Sequence, residues 1–204
     1  MPSGFVRAIL VATVGCLLAA CNSLSEETVA IDYVPSSTPA AIPGAENVAL
    51  SVVAADRRVQ LKDRIGTKRA VTTARILPAN DVVELVRSAV EQQFKALGFA
   101  VATGGLAVTV EVQNFYDDFH SGGALLISVA NVAFTIKVKN STGATLYSHF
   151  FDGTGRIDNV LDQSAANAKA ALQKALADAV RQVAEDKALR SALLSEKATR
   201  ATKQ

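Results

Sequence analysis

The spacing of apolar positions changes several times along the chain, and each change marks an element. Val48 to Ala54 is a continuous apolar run of strand length, the pattern of a central strand buried on both faces. Between Val82 and Leu97 the apolar residues Val82, Leu85, Val86, Ala89, Val90, Phe94 and Leu97 recur at three- and four-residue spacing. That is one stripe of a helix, capped by Asn80 or Asp81 and ended by Gly98. Phe99 to Ala102 forms a short strand, and Gly104-Gly105 supplies a tight turn. Leu106, Val108, Val110 and Val112 then alternate with Ala107, Thr109, Glu111 and Gln113, which predicts a half-buried strand. A loop from Asp117 to Gly123 leads into a long apolar strand, Leu125 to Lys139. Asn140 to Gly143 turns the chain back into a strand from Thr145 to Phe151, and Gly153 and Gly155 mark its exit.

A second helix is expected from about Val160 to Ala184, with Leu161, Ala165, Ala168, Leu172, Leu176, Ala179 and Val183 as its buried stripe. Its many alanines allow close approach to a sheet. Leu189, Leu193 and Leu194 continue a shorter helical piece, and residues 197–204 form a polar tail. The order predicts an α+β fold, a two-layer sandwich. Its sheet is mostly antiparallel with four to five strands, and two helices pack on one face.

The N-terminus carries a different pattern. Arg7 precedes an uncharged stretch, Ala8 to Cys21, that is too short to span a bilayer as a helix. Residues 1–20 read as a signal peptide, to be set aside in reasoning about the fold. The stretch ends Leu18-Ala19-Ala20-Cys21, which resembles a bacterial lipobox, so Cys21 is the expected lipid-attachment residue. More than one acyl chain is needed for stable anchoring. Asn22 in place of Asp favours sorting to the outer membrane, facing the periplasm. Cys16 falls in the leader, so a chain starting at Cys21 holds no free thiol. Residues 21–44 contain Pro35, Pro39 and Pro43 and read as a Ser/Thr/Pro-rich tether, with room for a short edge strand between Val29 and Tyr33. Residues 45–196 are then a single periplasmic domain.

Composition narrows the function. Half of the 204 residues are hydrophobic and the formal net charge is +2, which disfavours a disordered chain and a general nucleic-acid binder. With two Cys, two His and no Trp, a disulfide scaffold or a dense metal site is poorly supplied. Basic residues concentrate between Arg57 and Arg75, where Arg57, Arg58, Lys62, Arg64, Lys68, Arg69 and Arg75 face only Asp63. This reads as a solvated excursion in which Gly66 turns a hairpin. Its residues are candidates for contact with lipopolysaccharide, another anionic envelope component or an acidic partner. Phe115, Tyr116 and Phe119 either anchor a protein partner or close the end of the core.

His120, close in sequence to Asp117 and Asp118, and His149 are the residue types of a metal or acid–base site, yet no ligand spacing supports one. Gly153-Thr154-Gly155 lacks the lysine and spacing of a phosphate loop and reads as a strand-to-helix turn. No cofactor, no metal and no catalytic residue is expected.

The lipobox, the Pro-rich tether, VALSVVAADRR (Val48–Arg58), VEQQFKALGFAV (Val90–Val101) and VTVEVQNFYDDF (Val108–Phe119) together resemble the YajG family of bacterial lipoproteins. The resemblance spans roughly Val48 to Leu194 and implies an envelope lipoprotein with no assigned enzyme activity. A wider resemblance, at the level of fold, is to the lipopolysaccharide-assembly subunit LptE and to auxiliary lipoproteins of ABC-type transporters. The expectation is a non-enzymatic accessory or assembly factor that is anchored in the membrane and binds an envelope protein through a sheet edge or the basic excursion. The alternative is an auxiliary subunit of an ABC-type lipid or solute transport system; a periplasmic enzyme ranks last.

Overall fold

In chain order the strands are β1 (Glu27–Val29), β2 (Ala49–Asp56), β3 (Gly66–Arg69), β4 (Thr73–Pro78), β5 (Ala100–Val101), β6 (Leu106–Ser121), β7 (Leu126–Lys139) and β8 (Thr145–Val160). The helices are α1 (Val82–Ala96), α2 (Ala165–Glu185) and α3 (Lys187–Ala201). The computed structural model describes residues 25–36, 39–70 and 72–201, with side chains through Ser195. The expected leader 1–20, the expected lipobox ending at Cys21 and tail residues 202–204 lie outside the described residues.

The architecture is α+β, but among the described residues the sheet is mixed and has eight strands rather than four or five. β6 is its spine. On one side β7 and then β8 follow as antiparallel hairpins. On the other side β2 and β3 lie end to end, both parallel to β6: Leu50 pairs with Leu106, and Gly66 with Asp117. β5 flanks β2, β4 flanks β3, and β1 runs parallel to β4 at the edge. Hydrophobic periodicity reports burial, not strand direction, so these parallel pairings left no trace in the pattern. A third helix replaces the expected short continuation, because Asp186 interrupts α2 and caps α3 by accepting the Leu189 N–H at 2.7 Å.

All the packing helices lie on one face. α1 starts where Asp81 accepts the N–H groups of Val83 and Glu84, and it buries Val82, Val86, Ala89, Val90 and Phe94. On the uncovered face Val53 of β2 is 54% exposed, so β2 is buried on one side only. That face is dressed with polar cross-strand pairs instead: Glu111 with Lys137 at 2.8 Å, Gln113 with Thr135 at 2.8 Å and Asn114 with Asn131 at 2.6 Å.

Two strands run well past their predicted ends. β6 continues through the expected loop to Ser121 because a bulge at Gln113 resets its phase. Even residues Leu106 to Val112 face the helices before it; Phe115, Asp117 and Phe119 do so after it. β8 continues through Gly153 and Gly155 to Val160, so those glycines lie inside a strand and not at a turn. α2 therefore begins at Ala165, and Leu161, expected in its buried stripe, is 85% exposed outside it.

The stretch expected as a tether also enters the domain. Ile31 is fully buried, and Asn80 clasps its backbone, accepting its N–H at 3.0 Å and donating to its carbonyl at 2.9 Å. Glu27 accepts from Lys68 at 2.7 Å and from the Ala165 N–H at 2.6 Å, so a residue of β1 caps α2 where Ser164 provides no side-chain cap. These two hydrogen bonds hold the Glu27 carboxyl below its usual range. Its contribution to stability is therefore full above about pH 4.5 and is lost as pH falls through the lowered value. Glu27→Gln keeps the shape but strands the buried Lys68 ammonium. We expect a loss of about 1–2 kcal/mol at pH 7 in urea unfolding, and a smaller one at pH 3. An equal loss at both pH values would mean that the carboxylate charge is not what holds β1.

Candidate functional site

The basic stretch is not a solvated excursion. Residues 57–65 loop out between β2 and β3, and 66–78 form the β3–β4 ribbon, whose turn is near Ala70–Thr72 and not at Gly66. Ile65, Thr67, Lys68 and Ile76 are buried. Most of its charges are neutralised within the domain. Arg58 is 7% exposed and folds back on Asp56 with hydrogen bonds of 3.0 and 3.1 Å. Lys68 pairs with Glu27, Arg69 with Asp118, Arg64 with Asp63, and Arg75 with Glu26 and Asp63; Arg57 approaches Glu111 at 3.9 Å. Lys62 lines a cleft of about 440 Å³ beside Arg58, yet Asp56 and Asp81 line it too and offset their charge.

Phe115 and Phe119 are core residues, and Tyr116 is half-buried on the uncovered face with its hydroxyl on Thr67 at 2.7 Å. None of the three is an exposed anchor. Strand alternation sends Asp117 inward and Asp118 outward, and His120 is exposed at the end of β6. His149 sits far away: the β7 partners of the two histidines, Ile127 and Ile136, are nine residues or about 30 Å apart. Among the described residues no three metal-ligating side chains converge. No helix among them is long and apolar enough to cross a membrane.

A different surface is built with evident selectivity. Among the described residues β8 pairs only with β7, so its sixteen residues leave a long free edge. Edge backbone groups are templates for further strand pairing. The second half of this edge is closed by α2. Lys174 donates to the Arg156 carbonyl at 3.2 Å, Asp178 accepts the Thr154 N–H at 3.4 Å, and Gln182 donates to the Asp152 carbonyl at 2.8 Å. Residues 174, 178 and 182 are one helical stripe. The adjoining stripe, Ala171, Ala175 and Ala179, rests directly on Gly153 and Gly155. The glycines let the helix sink onto the strand, and that brings the polar stripe over its edge.

The first half is different. Tyr147, His149 and Phe151 take the places equivalent to the glycines, and the Tyr147 hydroxyl donates to Asp186, at the C-terminal cap of α2, at 2.8 Å. The register of β8 is unbroken from Ile157 to Tyr147, so the outward alternation continues to Ser148 and Phe150. Among the described residues no side chain reaches those backbone groups. Phe150 is half exposed beside them. Sequence reading placed both glycines in a turn and so missed the device; the signal was the match of a Gly-x-Gly in an apolar strand to alanines at four-residue spacing.

Residues 35–194 match the model of a family described as uncharacterized lipoprotein. No curated protein matches the chain. Among solved structures, protein XCC0632 from Xanthomonas campestris is similar in fold, with a TM-score of 0.58 at 17% identity over 85% of this chain and 99% of that one. A minor lipoprotein from Acinetobacter baumannii aligns with a TM-score of 0.45 at 9% identity, over 70% of this chain and 93% of that one.

Proposed function

The chain belongs to this family of uncharacterized lipoproteins, and we propose that it is a non-enzymatic binding factor of the bacterial cell envelope that takes up an extended segment of a protein partner along the open half of β8. In this reading Cys21 carries the lipid, the anchor lies in the outer membrane, and the domain faces the periplasm; a YajG-like identity is consistent with each point. The half-closed edge is the observation that supports it. Three side chains of α2 block strand addition at 152–156 and stop short of Ser148 and Phe150. Strand addition draws affinity from backbone hydrogen bonds and specificity from alternate side chains, here Phe150 on the uncovered face. The basic stretch offers less to lipopolysaccharide, since most of its cations already have partners in the domain.

A photo-crosslinking phenylalanine analogue at Phe150 should capture an envelope protein that the same analogue at Thr154 does not. Ser148→Pro removes an outward N–H and blocks pairing without touching the β7 ladder. It should abolish that crosslink with the melting temperature unchanged. Crosslinks that survive Ser148→Pro, or that form equally at Thr154, rule the edge out. Membrane separation on a sucrose gradient distinguishes this outer-membrane factor from an auxiliary subunit of an inner-membrane transporter.

A further inference from the structure

We infer that the end of the sheet holding the β6–β7 turn and Leu161 rests on the bilayer, with Leu161 entering its interfacial layer. This inference rests on the reading of Cys21 as the anchored residue. Six residue steps separate Cys21 from Glu27, and a fully extended chain advances at most about 3.6 Å per step, a leash of about 20 Å.

The leash is fastened at a definite height. Glu27 is held by Lys68 and by the first N–H of α2, and Glu26 pairs with Arg75. Glu27 lies opposite Ile76, Ile76 opposite Gly66, and Gly66 opposite Asp117 of β6. From Asp117 to the end of β6 at Ser121 is four residues, about 13 Å, which is within the leash. From Asp117 back to Ala107, where β6 meets the β7–β8 turn, is ten residues, about 33 Å, which is beyond it. β1 runs parallel to β4, so its first residue points toward Thr73 and the near end.

At that end stands Leu161, the large apolar side chain directly after Val160, which pairs with Leu126 beside the β6–β7 turn. It is 85% exposed and has no fold-internal reason to be apolar. An interface with lipid supplies one.

The chain has no tryptophan, so single substitutions report position cleanly. Lipidated full-length protein carrying Leu161→Trp, Ser141→Trp or Val53→Trp would be reconstituted in phosphatidylethanolamine/phosphatidylglycerol vesicles with brominated acyl chains. Leu161→Trp should lose fluorescence and shift to the blue, and the other two should not. Inserting fifteen Gly/Ser residues after Ser25 should restore its emission. Quenching at Val53→Trp would put the uncovered sheet face on the lipid, and quenching at Ser141→Trp the far end; either overturns the inference, as does an unquenched Leu161→Trp on protein whose Cys21 is shown by mass to be acylated. Absence of acylation overturns the anchor reading itself.

Discussion

Gly155→Ala is expected to cost about 3 kcal/mol or more of folding stability, and Gly155→Val to prevent folding, although each adds only carbon to an apolar layer. A Cβ at Gly155 would lie 1.9 Å from the Ala171 carbonyl oxygen and 2.6 Å from the Ala175 nitrogen; at Gly153 it would lie 2.1 Å from the Ala175 carbonyl oxygen. These are backbone atoms in the middle of α2, so no rotamer change relieves the contact. The helix must move off the sheet as a body. It carries Ala168, Leu172, Leu176, Val180 and Val183, all fully buried, and lifting it opens a cavity along the whole stripe. Urea unfolding measures the loss, with Thr154→Ala as the neighbouring exposed control, expected within about 0.5 kcal/mol of the unaltered chain. A Gly155→Ala protein within about 1 kcal/mol would show that the layers are not in contact there. The displacement also withdraws Lys174, Asp178 and Gln182 from β8, so surviving Gly155→Ala protein should self-associate more readily through the bared edge.

The same glycines explain why half of β8 was illegible. Glycine is poor in strands and common in turns, so Gly153-Thr154-Gly155 reads as an exit unless the helix that presses on it is already in view. The bulge at Gln113 had a similar effect. Alternation is clean from Leu106 to Val112, fails for two residues, and resumes out of phase at Phe115, so a strand reads as a strand followed by a loop. By contrast α1 was legible almost to the residue, because its stripe, its Asp81 cap and Gly98 at φ 96° are all local signals. Elements set by immediate neighbours in sequence were readable; those set by a packing partner on another element, as Ala171 and Ala175 set Gly155, were not.

The candidate site divides in the same way. The basic residues between Arg57 and Arg75 were visible, but their partners Glu26, Glu27, Glu111 and Asp118 lie on β1, its flank and β6, and only the folded register brings them together. A charge run in the sequence thus becomes a set of internal ion pairs. The expected lipobox is the reverse case. Its meaning lies in contiguous residues, Leu18 to Cys21, and owes nothing to the fold.

Asp117 should make the domain less stable as pH rises from 5 to 8, against the usual behaviour of a carboxylate. Its side chain is fully buried under the first turn of α2, and one of its oxygens has no hydrogen-bond partner. The other meets the Ser128 hydroxyl at 2.6 Å, which also lies 3.3 Å from the Asn167 carbonyl. Burial pushes the carboxyl up to about 7 from 3.8. Between these values the folded chain holds a proton that the unfolded chain has released, so stability is highest below pH 4 on this account and falls until pH passes 7. The protonated acid also fits its surroundings better: it donates to Ser128, freeing that hydroxyl to donate to Asn167. A shift of this size corresponds to a loss of about 4 kcal/mol on full ionisation. Asp117→Asn keeps the shape and cannot ionise. The difference in unfolding free energy between pH 5 and pH 8 should therefore shrink by about 3 kcal/mol in the variant, with the two proteins crossing in stability inside that window. Glu27 and the other paired carboxylates titrate below it and cancel in the comparison. An unchanged pH dependence in Asp117→Asn would show that the buried carboxyl is not the group responsible. The α2 terminus above Asp117 is the one that Glu27 holds to β1, so ionisation should loosen the domain first at the end where β1 begins.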